Sequence, residues 1–177
     1  PLVTRDLIQE GINKSPKVQL ILNANEPISA TLSSQKTPIY YGIDKVFDEN
    51  GTEIINPEQS FNCPKCNKEL HYNKNFYSQV GEFYCDCGYK TPDIKYLANV
   101  TLYKTYSVLS INGEDFEIPL VGLFNAYNAL GAIALAKELG IQNIEKSIKS
   151  FKVAFGRSER RNEIYEKLKN GDTEESF

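Results

Sequence analysis

Residues 122–136 read Gly-Leu-Phe-Asn-Ala-Tyr-Asn-Ala-Leu-Gly-Ala-Ile-Ala-Leu-Ala, and the fold class rests on this segment. Over residues 126–136 it is apolar on nearly every side and dominated by small residues. That pattern predicts a buried, closely packed helix. Asn125 is a good N-cap candidate, Asn128 lies one turn further on the same side, and Gly140 stands where helices commonly end.

The segments before this helix predict an α/β arrangement. Asp6–Asn13 has the pattern of the end of a helix, and Val18–Leu22 is an apolar run typical of a strand buried on both faces of a parallel sheet. A second short strand is expected over Pro38–Tyr41, ending at Gly42. The order of helix and strands favours a sheet flanked by helices.

Two Asn-Gly dipeptides, Asn50-Gly51 and Asn112-Gly113, have the signature of type I′ hairpin turns. The second is the stronger, because Ser107–Ile111 and Asp115–Leu120 can form its arms. An antiparallel hairpin is therefore expected directly before the buried helix.

All four cysteines fall in two short pairs, Cys63-Pro-Lys-Cys66 and Cys85-Asp-Cys87-Gly88. Gly88 stands where the backbone is expected to turn toward a metal. Structural zinc takes four thiolates at the corners of a tetrahedron, and two short loops brought together by a hairpin can provide them. Two disulfides or four free thiols are the alternatives, and disulfides are disfavoured because nothing suggests secretion. Four thiolates leave no position for water, so a structural zinc ribbon is predicted rather than a catalytic zinc.

The residues between the cysteine pairs are rich in aromatic side chains and predict two strands, Glu69–Tyr72 and Glu82–Tyr84, with a turn near Val80-Gly81. His71, the single histidine, can replace a cysteine as ligand, but an exposed strand histidine is the favoured interpretation. The metal is expected to supply folding free energy that so small a core lacks.

Composition excludes several classes of protein. The 177 residues carry 20 Lys+Arg against 23 Asp+Glu, a net charge of −3, and 41% hydrophobic residues. The mild acidity disfavours a nucleic-acid partner, whose binding rests on basic side chains. No apolar run is long enough to span a bilayer and no signal peptide is evident, so a soluble cytoplasmic protein is expected.

The residues alone leave the chemistry of the long helix open. A helix N-terminus offers free N–H groups that suit a nucleotide or phosphate, and asparagine amides can pair with either. Equally, Asn125 can simply cap the helix while Asn128 satisfies a loop carbonyl. Arg157, beside Gly156, is either a phosphate clamp or one charge in a solvated run.

Taken together, these segments resemble the central domain of Mur ligases, and more narrowly its MurT-like branch. The resemblance covers roughly residues 6–161 and rests on five motifs. They are Leu20–Pro27, similar to a strand followed by N-A-D-D-P; Tyr40–Gly42; the C-P-x-C and C-x-C-G pairs; Phe124–Leu130, similar to F-N-x-Y-N-A-L; and Phe155–Glu159, similar to G-R-x-E.

This resemblance implies part of a Mur-ligase-type central domain, a mostly parallel sheet flanked by helices with an inserted zinc-ribbon β-hairpin. Residues 1–57 and 96–156 would form the two segments of the central domain, and residues 58–95 the insertion. Residues 157–177 would form a hinge and the start of a C-terminal domain or tail.

The resemblance also implies a function in peptidoglycan biosynthesis. MurT-like subunits use ATP and Mg²⁺ to activate the D-glutamate α-carboxylate of lipid II as an acyl phosphate, which ammonia from a GatD-like glutamine amidotransferase then displaces. Asn125 and Asn128 would lie at the nucleotide pocket, and Arg157 would reach the ATP from the hinge. Asn23, at the carboxyl end of a strand, would line the same crevice.

Departures from the family pattern limit what the chain is expected to do. These residues contain no P-loop, no acidic Mg²⁺-binding segment and little of the C-terminal domain. Asn25-Glu26 stands where an Asp-Asp pair is usual. The chain is therefore expected to be a portion of a MurT-like subunit, inactive alone, with catalytic residues outside it.

The sequence is also compatible with two other interpretations. One is a free-standing zinc-ribbon module that binds protein or single-stranded nucleic acid through lysines such as Lys65 and Lys90 and neighbouring aromatic residues such as Tyr72. The other is a portion of a different Mur-type ligase. The net charge and the buried helix count against the first, and the ribbon counts against the second.

Overall fold

The computed structural model describes residues 2–57 and 59–150. Its helices are α1 (Leu2–Lys14), α2 (Leu123–Glu138) and α3 (Ile144–Lys149), with a 3-10 turn over Ser29–Thr31. Its strands are β1 (Ile21–Asn23), β2 (Ile39–Phe47), β3 (Phe61–Asn62), β4 (Glu69–Tyr77), β5 (Val80–Tyr84), β6 (Tyr96–Leu102), β7 (Ser107–Ile111) and β8 (Glu114–Ile118). None of the helices described is long and apolar enough to cross a membrane.

The main sheet has five strands in the order β1-β2-β6-β7-β8. The pairs β1-β2 and β2-β6 are parallel, whereas β6-β7 and β7-β8 are antiparallel. Helix α2 follows β8 and packs back on β1, β2, β6 and β7. The predicted α/β class is confirmed as a mixed sheet with helices packed on it.

The first two strands differ in length from their predictions. The run Val18–Leu22 forms a strand only from residue 21, and its one buried member is Leu22. The strand predicted to end at Gly42 continues to Phe47. Gly42 does not stop the strand: it is buried, and a Cβ there would lie 2.7 Å from Asn25 Oδ1, so glycine makes room for a neighbour.

A second sheet, β3-β4-β5, lies in the chain between β2 and β6. Its strands β4 and β5 form the predicted hairpin between the cysteine pairs. The turn is at Ser78 and Gln79, directly before Val80-Gly81 and so near the predicted place; Ser78 has φ of 47°, and Val80 and Gly81 begin β5. Gly81 is required there because a Cβ would lie 2.1 Å from the backbone oxygen of Lys74 on the opposite strand.

The two Asn-Gly turns differ. At Asn112-Gly113 both residues have positive φ, 51° and 88°, as the predicted type I′ turn requires. At Asn50-Gly51 only the glycine does, with φ of 80°. There the Gly51 N–H donates to the Asp48 carbonyl, so the chain makes a type I turn followed by a left-handed glycine. The prediction of a type I′ turn is therefore wrong at Asn50-Gly51.

Helix α2 is buried on one side only. The core it covers contains the inward side chains of β2, β6, β7 and β8, and its own buried residues are Ala126, Tyr127, Leu130, Ile133 and Ala134. Its opposite side carries exposed Asn128, Ala132 and Leu135. The predicted burial therefore applies to one side of the helix only, because apolar residues such as Leu135 occupy the solvent side as well.

Candidate functional site

The two cysteine pairs meet at the base of the β4-β5 hairpin. All four Sγ atoms lie within 4.8 Å of one another, with Cys63 to Cys87 at 3.8 Å and Cys66 to Cys85 at 3.5 Å. A tetrahedral zinc with bonds of about 2.3 Å holds its sulfurs about 3.8 Å apart. The donor set therefore fits a metal ion that prefers four thiolates.

Each pair is held by a backbone turn that closes around its first cysteine. The Cys63 N–H donates to the Lys68 carbonyl at 2.7 Å, and Asn67, with φ of 60°, donates its N–H back to the Cys63 carbonyl. In the second pair the Gly88 N–H donates to the Cys85 carbonyl at 2.9 Å, and Gly88 has φ of 86°. The predicted turn at Gly88 is confirmed, whereas the matching role of Asn67 was missed.

The thiols differ in acidity before any metal is bound. The pKa of Cys87 is lowered to about 7, mainly by the backbone N–H of Tyr89. At Cys85 the backbone N–H of Cys87 also lowers the pKa, but desolvation and the neighbouring thiols outweigh it and raise the value to about 12. A bound cation reverses this balance, because it favours the thiolate at every ligand.

His71 is not a member of this group. It lies on β4, and its ring packs against that of Tyr84 at 5.3 Å between centroids. The metal-competent group found among the described residues consists of the four cysteines alone. His71 is half-buried rather than exposed, but the prediction that it is not a ligand agrees with its position.

The four-cysteine hairpin is packed firmly on the main sheet. Its cluster of buried residues includes Leu70 and Phe83 and extends to Ala30 and the half-buried Tyr40 of the main body. The buried hydroxyl of Tyr89 donates to the Pro27 carbonyl at 2.6 Å. This continuous packing disfavours a free-standing ribbon module.

Asn25, next to the hairpin, makes hydrogen bonds to several separate segments, and sequence reasoning missed it as a site. It is 1% exposed. Its Oδ1 accepts hydrogen bonds from the Ile43 backbone N–H at 2.6 Å and the Tyr127 hydroxyl at 3.0 Å. Its backbone carbonyl accepts the Gly81 N–H at 2.9 Å. Burial raises the pKa of Tyr127 well above its usual value, so this hydroxyl remains a donor.

Neighbouring Glu26 also has a structural role. Its carboxylate accepts the backbone N–H groups of Ile28 and Ser29, which begins the 3-10 turn, and it accepts the side-chain amide of Gln79 at 2.6 Å. The Asn25-Glu26 pair therefore organises the loop after β1 and joins it to the hairpin.

Helix α2 does not begin where the sequence predicts. The N-cap is Gly122, with φ of 92°, and no side chain caps the helix. Asn125 lies inside the first turn, where its Nδ2 donates back to the Val121 carbonyl at 2.8 Å. The N-cap prediction for Asn125 is wrong, because glycine at residue 122 starts the helix one turn earlier. Asn128 is exposed on the solvent side of the helix.

Of the other two residues predicted to contact a nucleotide, the structure describes Asn23 alone. Asn23 ends β1, and its Oδ1 accepts the backbone N–H of Asn25 at 3.0 Å. Arg157 lies outside the described residues. The roles assigned to Asn23, Asn125, Asn128 and Arg157 at a nucleotide therefore stay predictions.

A cavity of about 260 Å³ lies beside the start of α2. Its lining comes from the carboxyl ends of β2 and β6, from the hairpin and from the first residues of the helix, and it includes Val46, Leu102, Phe76, Tyr77, Leu123 and Phe124. Ligands of open α/β sheets generally bind outside the carboxyl ends of parallel strands. The cavity and the exposed N-terminus of α2 thus share the edge of the sheet where a ligand is expected.

No protein-family model matches the chain. It is 34% identical over 134 residues to the lipid II isoglutaminyl synthase (glutamine-hydrolyzing) subunit MurT of Staphylococcus aureus strain COL, covering 75% of this chain and 30% of that one. With the MurT subunit of Streptococcus pneumoniae R6 it shares 32% over 161 residues, covering 88% of this chain and 36% of that one.

A solved structure is similar as well. The pseudomurein peptide ligase type C from Methanothermus fervidus superposes with a TM-score of 0.62 and 31% identity, over 78% of this chain and 28% of the ligase. The chain spans about a third of the length of the curated relatives it matches. Over most of its own length, this chain is therefore a homologue of MurT with the fold of a Mur-ligase-type peptide ligase.

Proposed function

We propose that this chain is a portion of an ATP-dependent ligase that amidates the D-glutamate α-carboxylate of lipid II during peptidoglycan biosynthesis. The observation that carries the proposal is the 32–34% identity to MurT subunits across 75–88% of this chain. The similarity to a peptide ligase supports the same class of reaction, the joining of an amine to a carboxylate.

The chemistry requires activation because a carboxylate has no leaving group. ATP supplies a phosphoryl group to the carboxylate oxygen, with release of ADP, and gives an acyl phosphate. Ammonia then attacks the acyl carbon, phosphate departs, the excess proton is lost and the amide remains. We propose a GatD-like glutamine amidotransferase as the source of ammonia, and the cytoplasm, where ATP is available, as the location.

Within this chain we assign nucleotide contacts to the edge of the sheet around the N-terminus of α2. The exposed first turn presents backbone N–H groups and the positive end of the helix dipole, which favour phosphate oxygens. Asn125 and Asn128 would contact the nucleotide from this helix, Asn23 from the end of β1, and Arg157 from beyond the described residues. Mg²⁺ would neutralise phosphate charge during transfer.

We assign a structural zinc ion to Cys63, Cys66, Cys85 and Cys87. Support comes from the donor set and the sulfur separations of 3.5–4.8 Å. Four thiolates complete the coordination of zinc, so the ion stabilises the hairpin and does not activate water.

The test uses the complete polypeptide that carries this sequence, supplied with lipid II, ATP, Mg²⁺ and an ammonium salt. Ammonium removes the need for the glutaminase and isolates the ligase step. Amidated lipid II is measured by mass spectrometry. Asn128→Ala is compared with Asn13→Ala, which removes an exposed amide from α1 and serves as the matched control.

The expected result is ATP-dependent gain of one amide, with KM for ATP raised about tenfold in Asn128→Ala, as one lost polar contact predicts, and unchanged in Asn13→Ala. Absence of amidation with every component present contradicts the assignment of the reaction. Amidation with an unchanged KM in Asn128→Ala contradicts only the nucleotide role of that residue.

A further inference from the structure

Asn25 is bonded to the four-cysteine hairpin through both its backbone and its side chain. The Gly81 N–H donates to the Asn25 carbonyl at 2.9 Å, and Asn25 Nδ2 donates to the Gly81 carbonyl at 3.4 Å. Gly81 lies on β5, a few residues before Cys85. The loop after β1 is thus attached to the strand that leads into the second cysteine pair.

The same side chain is bonded to α2 on its other side. Its Oδ1 accepts the Tyr127 hydroxyl and the Ile43 backbone N–H, so one amide joins the hairpin, strand β2 and the helix. Gly42 permits this approach, since a Cβ there would lie 2.7 Å from Oδ1. Tyr127 lies on the second turn of α2, between Asn125 and Asn128 in sequence and on the opposite, buried side.

A second contact follows the same route. The ring of Tyr77, at the end of β4, packs edge-on against that of Tyr127 with 6.0 Å between centroids. Phe76 and Tyr77 also form one wall of the cavity that Leu123 and Phe124 close on the helix side. The hairpin tip therefore supports the first two turns of α2 by packing as well as by hydrogen bonding.

We propose that Asn25 is a positioning residue, which transmits the folding of the four-cysteine hairpin around its metal to the N-terminal turns of α2. The proposal rests on the metal site assigned above. The buried cluster of the hairpin contains few residues, and Cys63 and Cys85 are two of them. A metal bound by these cysteines therefore holds β5, and with it Gly81, in place, and through Asn25 and Tyr127 it supports the start of the helix.

The experiment compares hydrogen–deuterium exchange of residues 123–130 in the zinc-loaded chain and after chelation, with zinc content measured on the same samples. Tyr127→Phe removes the hydroxyl link and keeps the ring that packs on Tyr77. Tyr96→Phe is the matched control, because its hydroxyl bonds Glu138 at the other end of α2. The hairpin β7-β8 serves as an internal reference.

In the unmodified chain and in Tyr96→Phe, chelation should speed exchange of residues 123–130 about tenfold, because one supporting hydrogen bond is lost. The exchange rate of β7-β8 should change by less than about twofold in the same samples. In Tyr127→Phe, exchange should already be fast with zinc bound and respond less than about twofold to chelation. Asn25→Ala, which removes the side-chain links to Gly81, Ile43 and Tyr127 together, should likewise abolish the metal response.

A metal response that survives in Tyr127→Phe overturns the proposal, and so does an equal rise in β7-β8, which would show global unfolding. Zinc release without any change at residues 123–130 in the unmodified chain overturns it as well. A chain that never binds zinc refutes the metal centre and the metal dependence. The hydroxyl link is then judged by whether Tyr127→Phe alone speeds exchange of the first turns.

Discussion

The Tyr127 hydroxyl donates to Asn25 Oδ1 over 3.0 Å and joins two residues that are 102 positions apart in the chain. Both residues are buried. Because the amide also holds Ile43 and Gly81, four separate segments meet at one polar side chain. A buried polar group with all of these partners stabilises one arrangement of the segments and penalises others.

Asn25→Ala should therefore destabilise the chain more than the few atoms that it removes would suggest. The substitution leaves the Ile43 N–H and the Tyr127 hydroxyl without their acceptor, and we expect the free energy of unfolding to fall by about 3 kcal/mol. Urea denaturation followed by circular dichroism measures it. Asn73→Ala, which removes an exposed amide from the same hairpin, should change the value by less than about 0.5 kcal/mol. Equal effects would contradict the role of Asn25.

Gly81→Ala should disrupt the hairpin. The new Cβ would lie 2.1 Å from the Lys74 backbone oxygen, which cannot move without breaking the β4-β5 pairing. We expect the free energy of unfolding to fall by about 3 kcal/mol, measured by denaturation, and zinc binding to weaken, measured by metal competition. Gly11→Ala is the same substitution in open space on α1 and should stabilise by about 0.5–1 kcal/mol. An unchanged free energy of unfolding in Gly81→Ala would contradict the close approach of Gly81 to the Lys74 backbone oxygen.

Removal of the metal should lower thermal stability through the hairpin. We expect chelation to lower the Tm by about 10 °C, and Cys85→Ser to show the lower Tm with no further response to chelator. His71→Ala should keep one zinc per chain because His71 is not among the ligands. Zinc content by atomic emission and calorimetric melting are the measurements. A Cys85→Ser protein that retains full zinc would exclude the assigned ligand set.

Zinc binding should release protons at pH 7. The pKa of Cys85 is raised to about 12 and that of Cys66 is also raised, so both thiols are protonated before the metal arrives. Each must lose its proton to become a ligand. Titration calorimetry in buffers of different ionisation enthalpy should therefore show at least two protons released per zinc. Affinity should rise with pH, and binding heats that do not depend on the buffer would contradict the thiolate ligation.

Features that depend on neighbouring residues were predictable from the sequence. The cysteine pairs, the turn at Gly88 and the type I′ turn at Asn112-Gly113 each follow from local chemistry and backbone preference. The end of α2 was also predicted correctly: Gly140 has φ of 69° and donates its N–H to the Lys137 carbonyl. In these cases a few consecutive residues specify the conformation, whereas the same dipeptide at Asn50-Gly51 makes a different turn.

Features set by distant partners were not predictable. The sequence predicts the end of a strand at Gly42, but tertiary packing beside Asn25 decides why glycine stands there. The role of Asn25 cannot be predicted from the residues beside it, because its hydrogen-bond partners lie 18, 56 and 102 positions away. The one-sided burial of α2 likewise depends on the strands against which it packs. A run of small apolar residues does not specify those strands.

The position of the four-cysteine hairpin between two paired strands affects how the chain folds. Strand β2 ends at Phe47 and its parallel neighbour β6 begins at Tyr96, so their pairing must close the long connection that contains the hairpin. A connection already compacted around a metal has less conformational entropy to lose when its ends meet. If the hairpin binds its metal before the sheet assembles, this long-range search would become shorter, and we expect refolding to be faster with zinc present than without it.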